Sequence, residues 1–157
     1  MGAMSLRSNG SKISRVSRRG DSEVGKDGLA VIVVGVDGGD RALHAAAWAS
    51  GLARRERALL VLVYVEALSG AAYWSPIGMA TAAEAASEYV EELHQAATAY
   101  LDQAGVRWEL VHYRGDPAHG LEAVAEDRRA DCIVVGRGGG VARTLVNEAH
   151  RPVVVVP

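Results

Sequence analysis

The chain has 157 residues, 49% hydrophobic and 5% aromatic with no phenylalanine, which fits one domain built from small aliphatic side chains rather than an aromatic-rich β-sandwich. Its formal charge of -2 is unevenly spread, because residues 1 to 28 carry six Lys/Arg and three Asp/Glu, whereas the remaining residues carry 11 Lys/Arg and 16 Asp/Glu. The acidic body of the chain argues against a nucleic-acid partner. No apolar run approaches the roughly 20 residues of a membrane span, no secretory signal is visible, and the single Cys132 has no partner for a disulfide, so we predict a cytoplasmic protein without membrane attachment.

Residues 1 to 28 are rich in Ser, Gly and Arg and lack periodic hydrophobicity. Such a segment cannot bury enough apolar surface to fold, so we predict a disordered N-terminal arm before a single domain at residues 29 to 157. The opening Met1-Gly-Ala-Met4 is consistent with a vector-derived remnant preceding a second start, and the alternative is a native tail.

The first half of the domain alternates strand and helix. An unbroken apolar run from Leu29 to Val36 predicts a central strand buried on both faces. It ends in Asp37-Gly-Gly-Asp40, where Asp40 is the predicted N-cap of a helix from Arg41 to about Arg55. Leu59 to Val65 predicts a second buried strand, and a Gly- and Pro-containing loop from Ala67 to Gly78 follows it.

The second half continues the alternation. The pattern predicts a long helix from Met79 to Gln103 and a strand with one wetter face from Val106 to Tyr113, which indicates a position near a sheet edge. Asp116 and Pro117 are typical of an N-cap and a first helical residue, so a helix is expected from Ala118 to about Arg128.

The last quarter of the chain has the clearest functional signal. Cys132 to Val135 predicts a strand, Gly136-Arg-Gly-Gly-Gly140 a glycine-rich loop, Val141 to Ala149 a helix, and Val153 to Val156 a final strand. The complete order, βαβαβαβαβ, predicts an α/β fold: an open five-stranded parallel sheet with helices on both faces, Rossmann-like in its winding.

Ligands of such sheets bind beyond the carboxyl ends of the strands, where the strand order reverses. If the first and fourth strands are neighbours, Asp37 can accept hydrogen bonds from a base or ribose while the glycine amides face phosphate. Arg137 can add a positive charge in the same loop. The alternative for Asp37 and for the glycines is that they only form tight turns.

Several catalytic and cofactor motifs are absent from the sequence. The GxGxxG dinucleotide fingerprint fails because Val141 stands where its third glycine is needed, and no Gly-Lys-Ser/Thr of a phosphate-binding P-loop occurs. The five histidines are scattered without metal-ligand spacing, and no nucleophile elbow is present. We therefore predict no metal site and no catalytic residues.

Five spaced segments resemble the universal stress protein family. They are Val34-Gly-Val-Asp-Gly-Gly39 with the following Ala-Leu and Trp-Ala pairs, Val61-Leu-Val-Tyr-Val65, Gly115-Asp-Pro-Ala118, Asp131-Cys-Ile-Val-Val-Gly136, and Ala149-His-Arg-Pro-Val-Val-Val-Val156. The resemblance covers Leu29 to Pro157. It implies an adenine-nucleotide alpha-hydrolase-like fold, a role in stress adaptation, and a homodimer joined through Val153 to Val156.

The resemblance also implies a nucleotide site. Some family members bind ATP through a loop similar to GxxG, about nine further residues and Gly-Ser/Thr. Here Gly136-Arg-Gly-Gly139 matches the first part, but the loop is about ten residues shorter, which predicts weak AMP or ATP binding. The resemblance implies that Asp37 and Val65 contact the base and that Gly136 lies at the ribose or phosphate, and we expect the charge of Arg137 to replace part of the missing amides. The predicted site residues are Asp37, Gly38, Val65, Gly136, Arg137, Gly138, Gly139 and Gly140.

The sequence thus predicts a non-enzymatic, stress-associated binding or regulatory module with a degenerate adenine-nucleotide site. Two alternatives remain open at this point. One is a nucleotide hydrolase or transferase that uses the same cleft, and the other is a dimerisation scaffold without a ligand.

Overall fold

A computed structural model describes residues 28–67 and 74–157. Five strands form the sheet: Val31–Val36 (β1), Leu59–Glu66 (β2), Arg107–Arg114 (β3), Cys132–Gly136 (β4) and Val153–Val156 (β5). Four helices connect them: Asp40–Glu56 (α1), Pro76–Ala97 (α2), Pro117–Asp127 (α3) and Gly139–Glu148 (α4). A single π-helical turn, Thr98–Asp102, extends α2. The predicted arm lies outside the described residues except for Gly28.

The strands follow the order β3-β2-β1-β4-β5 and every neighbouring pair is parallel. This confirms the predicted α/β class with a parallel five-stranded sheet, and it places β3 at an edge as its wetter pattern predicted. The chain winds outward from β1 to β3 and then returns to β4 on the other side of β1. The order therefore reverses between β1 and β4, which is the point where such sheets form a cleft.

Hydrophobic layers cover both faces of the sheet. Ile32 and Val34 of β1 point to one layer, which also holds the alanines of α1 at positions 45, 49 and 53 and the end of α2. Val33 points to the opposite layer, which contains buried residues of α3 and α4. Successive strand residues face opposite sides, so an unbroken apolar run is needed wherever both faces are covered.

The start of β1 is fixed by a residue far along the chain. Asp131, just before β4, accepts hydrogen bonds through Oδ2 from the backbone N–H groups of Ala30 at 2.7 Å and Val31 at 3.0 Å. A carboxylate that accepts two amide hydrogen bonds holds the two strand starts side by side. The carboxyl ends of β1 and β4 are thereby kept in register as well.

The boundaries of α1 and α2 differ from those predicted. Asp40 is the first residue of α1 and not its N-cap; Gly39 has the extended cap conformation, and Asp37 Oδ1 accepts a hydrogen bond from Gly39 N at 2.8 Å. Helix α2 begins at Pro76, within the predicted loop, because Ser75 Oγ caps it by accepting from Gly78 N at 2.9 Å. In α3 the predicted cap is confirmed, with Asp116 Oδ2 accepting from His119 N at 2.8 Å.

The glycine-rich segment after β4 is also shorter as a loop than predicted. Gly139 and Gly140 form the first turn of α4, so only Arg137 and Gly138 separate strand from helix. Glycine is a poor helix former, and the sequence alone therefore placed the helix start too late. Within the described ranges, no helix combines the length and apolarity needed to cross a bilayer.

Candidate functional site

A cleft of about 520 Å³ opens at the carboxyl ends of β1 and β4. Its size lies in the range common for small-molecule sites. It is lined by residues of the turns after β1 and β4, by the starts of α1, α3 and α4, and by the ends of three strands: Gly35, Val36, Asp37, Gly39, Asp40, Arg41, Ala42, Val63, Val65, Pro117, Leu121, Val135, Gly136, Arg137, Gly138, Gly139 and Val141. The structure thus brings together the two strand ends that the sequence analysis selected.

One side of the cleft carries a carboxylate above an apolar surface. Asp37 follows β1, and its Oδ1 is bound to Gly39 N. No described residue donates to its other oxygen, which is free to accept from a ligand. Val65 near the end of β2 and Leu121 of α3 supply apolar surface beside it. A carboxylate together with apolar side chains suits a polar ring or a sugar.

The opposite side is the glycine turn after β4. Arg137 N donates to Val156 O at 2.6 Å, so this amide extends the pairing with β5 and does not face a ligand. Gly138 has a φ of 120°, a conformation that L side chains rarely adopt, and it turns the chain directly into α4. The backbone amides that begin α4 are consequently the donors available on this side.

Two helix starts point into the cleft without a side-chain cap. Neither α1 nor α4 has a capping side chain among the described residues, whereas Ser75 caps α2 and Asp116 caps α3. The first N–H groups of a helix have no intrahelical partners and carry a partial positive charge. At α1 and α4 these groups are left to solvent or to an anion.

Arg41 is a cleft residue that the sequence analysis missed. It lies in the first turn of α1, lines the cleft, and places its guanidinium where a methyl group on Gly138 would stand. Its backbone also passes over β4, since a Cβ at Gly136 would lie 2.7 Å from Arg41 O. The signal available in the sequence was an arginine one residue after a predicted N-cap, at a strand end already selected.

Most of the predicted site residues meet in the cleft, and two do not. Asp37, Val65, Gly136, Arg137, Gly138 and Gly139 line it, whereas Gly38 and Gly140 are outside the lining. Gly38 instead faces α2, where a Cβ would lie 2.5 Å from the hydroxyl of Tyr89. Its φ of 80° and this close approach both require glycine, so its identity has a structural cause.

Tyr89 packs behind the turn that holds Asp37. Its ring lies 4.8 Å from that of Tyr64, and its hydroxyl is buried without a hydrogen-bond partner among the described residues. Burial, followed by the negative charge of Asp37, raises the pKa of Tyr89 above its ordinary value. Tyr89 therefore supports the turn as a neutral phenol.

The charged groups of the cleft are balanced. Its described lining contains two carboxylates, Asp37 and Asp40, and two guanidinium groups, Arg41 and Arg137, with no lysine, histidine, serine, threonine or cysteine. Among the described residues, no three His, Cys, Asp or Glu side chains are grouped closely enough to hold a metal ion. The cleft thus offers hydrogen-bonding and charged groups to a ligand, and few groups of the kind that act as nucleophiles.

Comparisons with solved structures agree on the fold. The universal stress protein UspA from Lactobacillus plantarum is 22% identical with a TM-score of 0.73, over 84% of this chain and 100% of that chain. A universal stress family protein from Burkholderia pseudomallei is 29% identical with a TM-score of 0.65, over 82% and 96%. No curated protein matches the chain significantly by sequence.

Some similar structures contain adenylates. A family member from Arabidopsis thaliana, 20% identical with a TM-score of 0.60 over 81% of this chain and 90% of that chain, has AMP bound. A universal stress protein in complex with cAMP is 23% identical with a TM-score of 0.62, over 82% and 97%. One from Archaeoglobus fulgidus in complex with dAMP is 24% identical with a TM-score of 0.58, over 84% and 100%.

The family itself is settled by the sequence as a whole. The model of the Universal stress protein family matches residues 29–157, which include every strand and helix described above. The structural neighbours are themselves universal stress proteins, and their TM-scores of 0.73 and 0.65 show that they share the fold of this chain. The chain belongs to the universal stress protein family.

Proposed function

We propose that this protein is a non-enzymatic, stress-associated regulatory module that binds a small adenylate weakly in the cleft between β1 and β4. The observation that carries the proposal is the placement of Asp37 and Val65 on one side of that cleft and the uncapped start of α4 on the other. The first pair suits an adenine or ribose, and the helix start suits a phosphate.

The form of the phosphate side favours a short ligand. Only Arg137 and Gly138 lie between β4 and α4, and the Arg137 amide is engaged by Val156. Each charge-assisted amide contact that is absent removes about 1.5 to 3 kcal/mol of binding free energy. We therefore expect AMP to bind more tightly than ATP. The similar structures solved with AMP, cAMP and dAMP, each with one phosphate, support this choice of ligand class.

The composition of the cleft lining supports a role without catalysis. The ionisable side chains in its described part are two aspartates and two arginines, and Asp37 is partly engaged by Gly39 N. The described residues that line the cleft include no histidine, lysine or cysteine. A positioned acid, base or nucleophile normally contributes much of the rate in hydrolysis or transfer.

We further propose a cytoplasmic homodimer joined through β5. This strand lies at the edge of the sheet, with β4 as its one neighbour, and Val155 is 38% exposed. A β-branched edge strand with free backbone groups is suited to pair with a second copy. A dimer formed in this way would lie next to the cleft, because Val156 O accepts the hydrogen bond from the Arg137 amide.

Calorimetric titration with adenosine, AMP, ADP and ATP, each with and without magnesium, tests the proposed ligand. The matched variants are Asp37→Asn, which keeps an oxygen for Gly39 N but removes the charge, and Glu88→Gln, the same change on the exposed face of α2. Asp37→Asn should weaken AMP and adenosine alike by about 1 kcal/mol, or roughly fivefold. Glu88→Gln should leave both affinities unchanged.

The outcomes separate the competing functions. Binding of AMP in preference to ATP supports the proposal. Phosphate release at catalytic rates during incubation with ATP would assign the cleft to an enzyme instead. Absence of binding with all three nucleotides would favour a scaffold that acts through its dimer surface alone.

A further inference from the structure

Arg41 stands at the phosphate side of the cleft although it belongs to the helix on the other side. We infer that Arg41 binds the phosphate of the adenylate together with the first amides of α4, and that this pairing selects a nucleoside monophosphate over a triphosphate. This inference rests on the proposed adenylate site and adds to it the residue that sets the number of phosphates.

The position of Arg41 follows from contacts on both sides of the cleft. Its backbone lies directly against β4. A Cβ atom added to Gly136 would lie 2.7 Å from Arg41 O and 2.8 Å from Arg41 C, so the backbone of Arg41 fills the space beside that glycine. Its guanidinium occupies the space that a side chain at Gly138 would need, next to the start of α4. Glycine at both positions thus lets one arginine reach across the switch point.

The guanidinium of Arg41 is not used by the protein itself. Arg41 forms no salt bridge and no side-chain hydrogen bond with any described residue, although Asp37 and Asp40 line the same cleft. Arginine presents several donors in a planar fork that matches two oxygens of a phosphate. An unpaired fork beside uncapped amides is an arrangement that a phosphate completes.

The charges of the cleft limit how many phosphates it accepts. A monoester phosphate carries about -1.5 to -2 at pH 7, and the two arginines that line the cleft, Arg41 and Arg137, are the cations in the described lining that can contact it. Each further phosphate adds negative charge, and the described lining holds no third cation to offset it. Asp37 and Asp40 on the facing side repel the additional charge.

The experiment compares adenosine, AMP and ATP by calorimetry on the full chain. Arg41→Gln removes the charge at the phosphate side, and Arg54→Gln makes the same change in the last turn of α1, roughly 20 Å away along the helix. Arg41→Gln should weaken AMP about tenfold or more while changing adenosine by less than about twofold. Arg54→Gln should change neither affinity, and circular dichroism melting should show that both variants fold.

Each result bears on the inference in a distinct way. If the wild-type chain binds AMP and Arg41→Gln binds it equally well, the role of Arg41 is refuted while the adenylate site stands. Equal losses for AMP and adenosine would show that Arg41 only shapes the cleft, which also refutes it. Wild-type binding of ATP as tight as AMP would refute the selectivity. Failure to bind either adenosine or AMP would overturn the inference together with the proposed function.

Discussion

The backbone at the start of α1 lies against Gly136 of β4, and this contact predicts a large stability penalty for adding a single methyl group there. A Cβ at Gly136 would lie 2.7 Å from Arg41 O and 2.8 Å from Arg41 C. Both are backbone atoms, so no change of side-chain rotamer can relieve the overlap. The β4 backbone is held by parallel pairing to both β1 and β5, which leaves displacement of the start of α1 as the remaining response. Overpacking of this kind costs about 1 to 3 kcal/mol.

Gly140→Ala is the matched change in the same segment. Gly140 lies in the first turn of α4, its φ is not positive, and nothing lies within 4 Å of its ideal Cβ. Alanine in place of glycine in a helix gains about 0.5 to 1 kcal/mol when the site is unobstructed. We therefore expect Gly136→Ala to lower the free energy of unfolding and Gly140→Ala to leave it unchanged or raise it.

Urea denaturation at fixed protein concentration measures this difference, with tryptophan fluorescence and far-UV circular dichroism as independent probes. The two variants should differ by about 1.5 kcal/mol or more. A Gly136→Ala protein within about 0.5 kcal/mol of wild type would refute the reasoning, because it would mean that α1 is free to move away from β4. Because the backbone of Arg41 lies against Gly136, a displaced α1 would also move the Arg41 side chain, and Gly136→Ala should therefore weaken AMP binding as well.

Three further predictions follow from individual contacts. Because the pKa of Tyr89 is raised in the folded state, its contribution to stability is complete below pH 10, the ordinary tyrosine value, and is lost as the pH rises through the higher folded value. The Tyr89→Phe variant should therefore lose less stability than wild type when urea denaturation is repeated at increasingly alkaline pH. The control Tyr100→Phe, at an exposed position, should lose as much stability as wild type. Asp131→Ala leaves two amides at the start of β1 without their acceptor and should lower the free energy of unfolding by about 1.5 to 3 kcal/mol; a loss below about 0.5 kcal/mol would show that the strand start is held by packing alone. Val155→Lys at the sheet edge should shift size-exclusion elution towards the monomer, whereas Val146→Lys on exposed α4 should not, and unchanged elution of the first variant would count against pairing through β5.

The fold was predictable because its signals are local and repeated. Unbroken apolar runs such as Leu59 to Val65 specify strands that are covered on both faces, and their alternation with helices leaves a parallel sheet as the expected arrangement. The wetter pattern of β3 correctly indicated an edge. The same alternation indicated that Asp37, after β1, and Gly136, at the end of β4, lie at the same edge of the sheet. Both residues line the cleft.

The parts that were not predicted depend on packing between distant segments. Asp40 has the residue type of an N-cap, yet Asp37 bonds to Gly39 N and shifts the helix start by one residue. The position of Arg41 in the cleft depends on the closeness of α1 to Gly138, which no pattern within α1 reveals. Gly38 was assigned to the ligand but is explained by the Tyr89 ring of α2, about fifty residues later in the chain.

The hydrogen bonds from Ala30 and Val31 to Asp131 connect positions 101 and 100 residues apart. During synthesis β1 can pair with β2 early, but its other edge stays open until Asp131 and β4 have left the ribosome. Until then the middle strand is a half-paired edge that a chaperone or a neighbouring nascent chain can reach. A bound nucleotide would stabilise only the folded domain, since the two walls of the cleft are about 100 residues apart in the sequence.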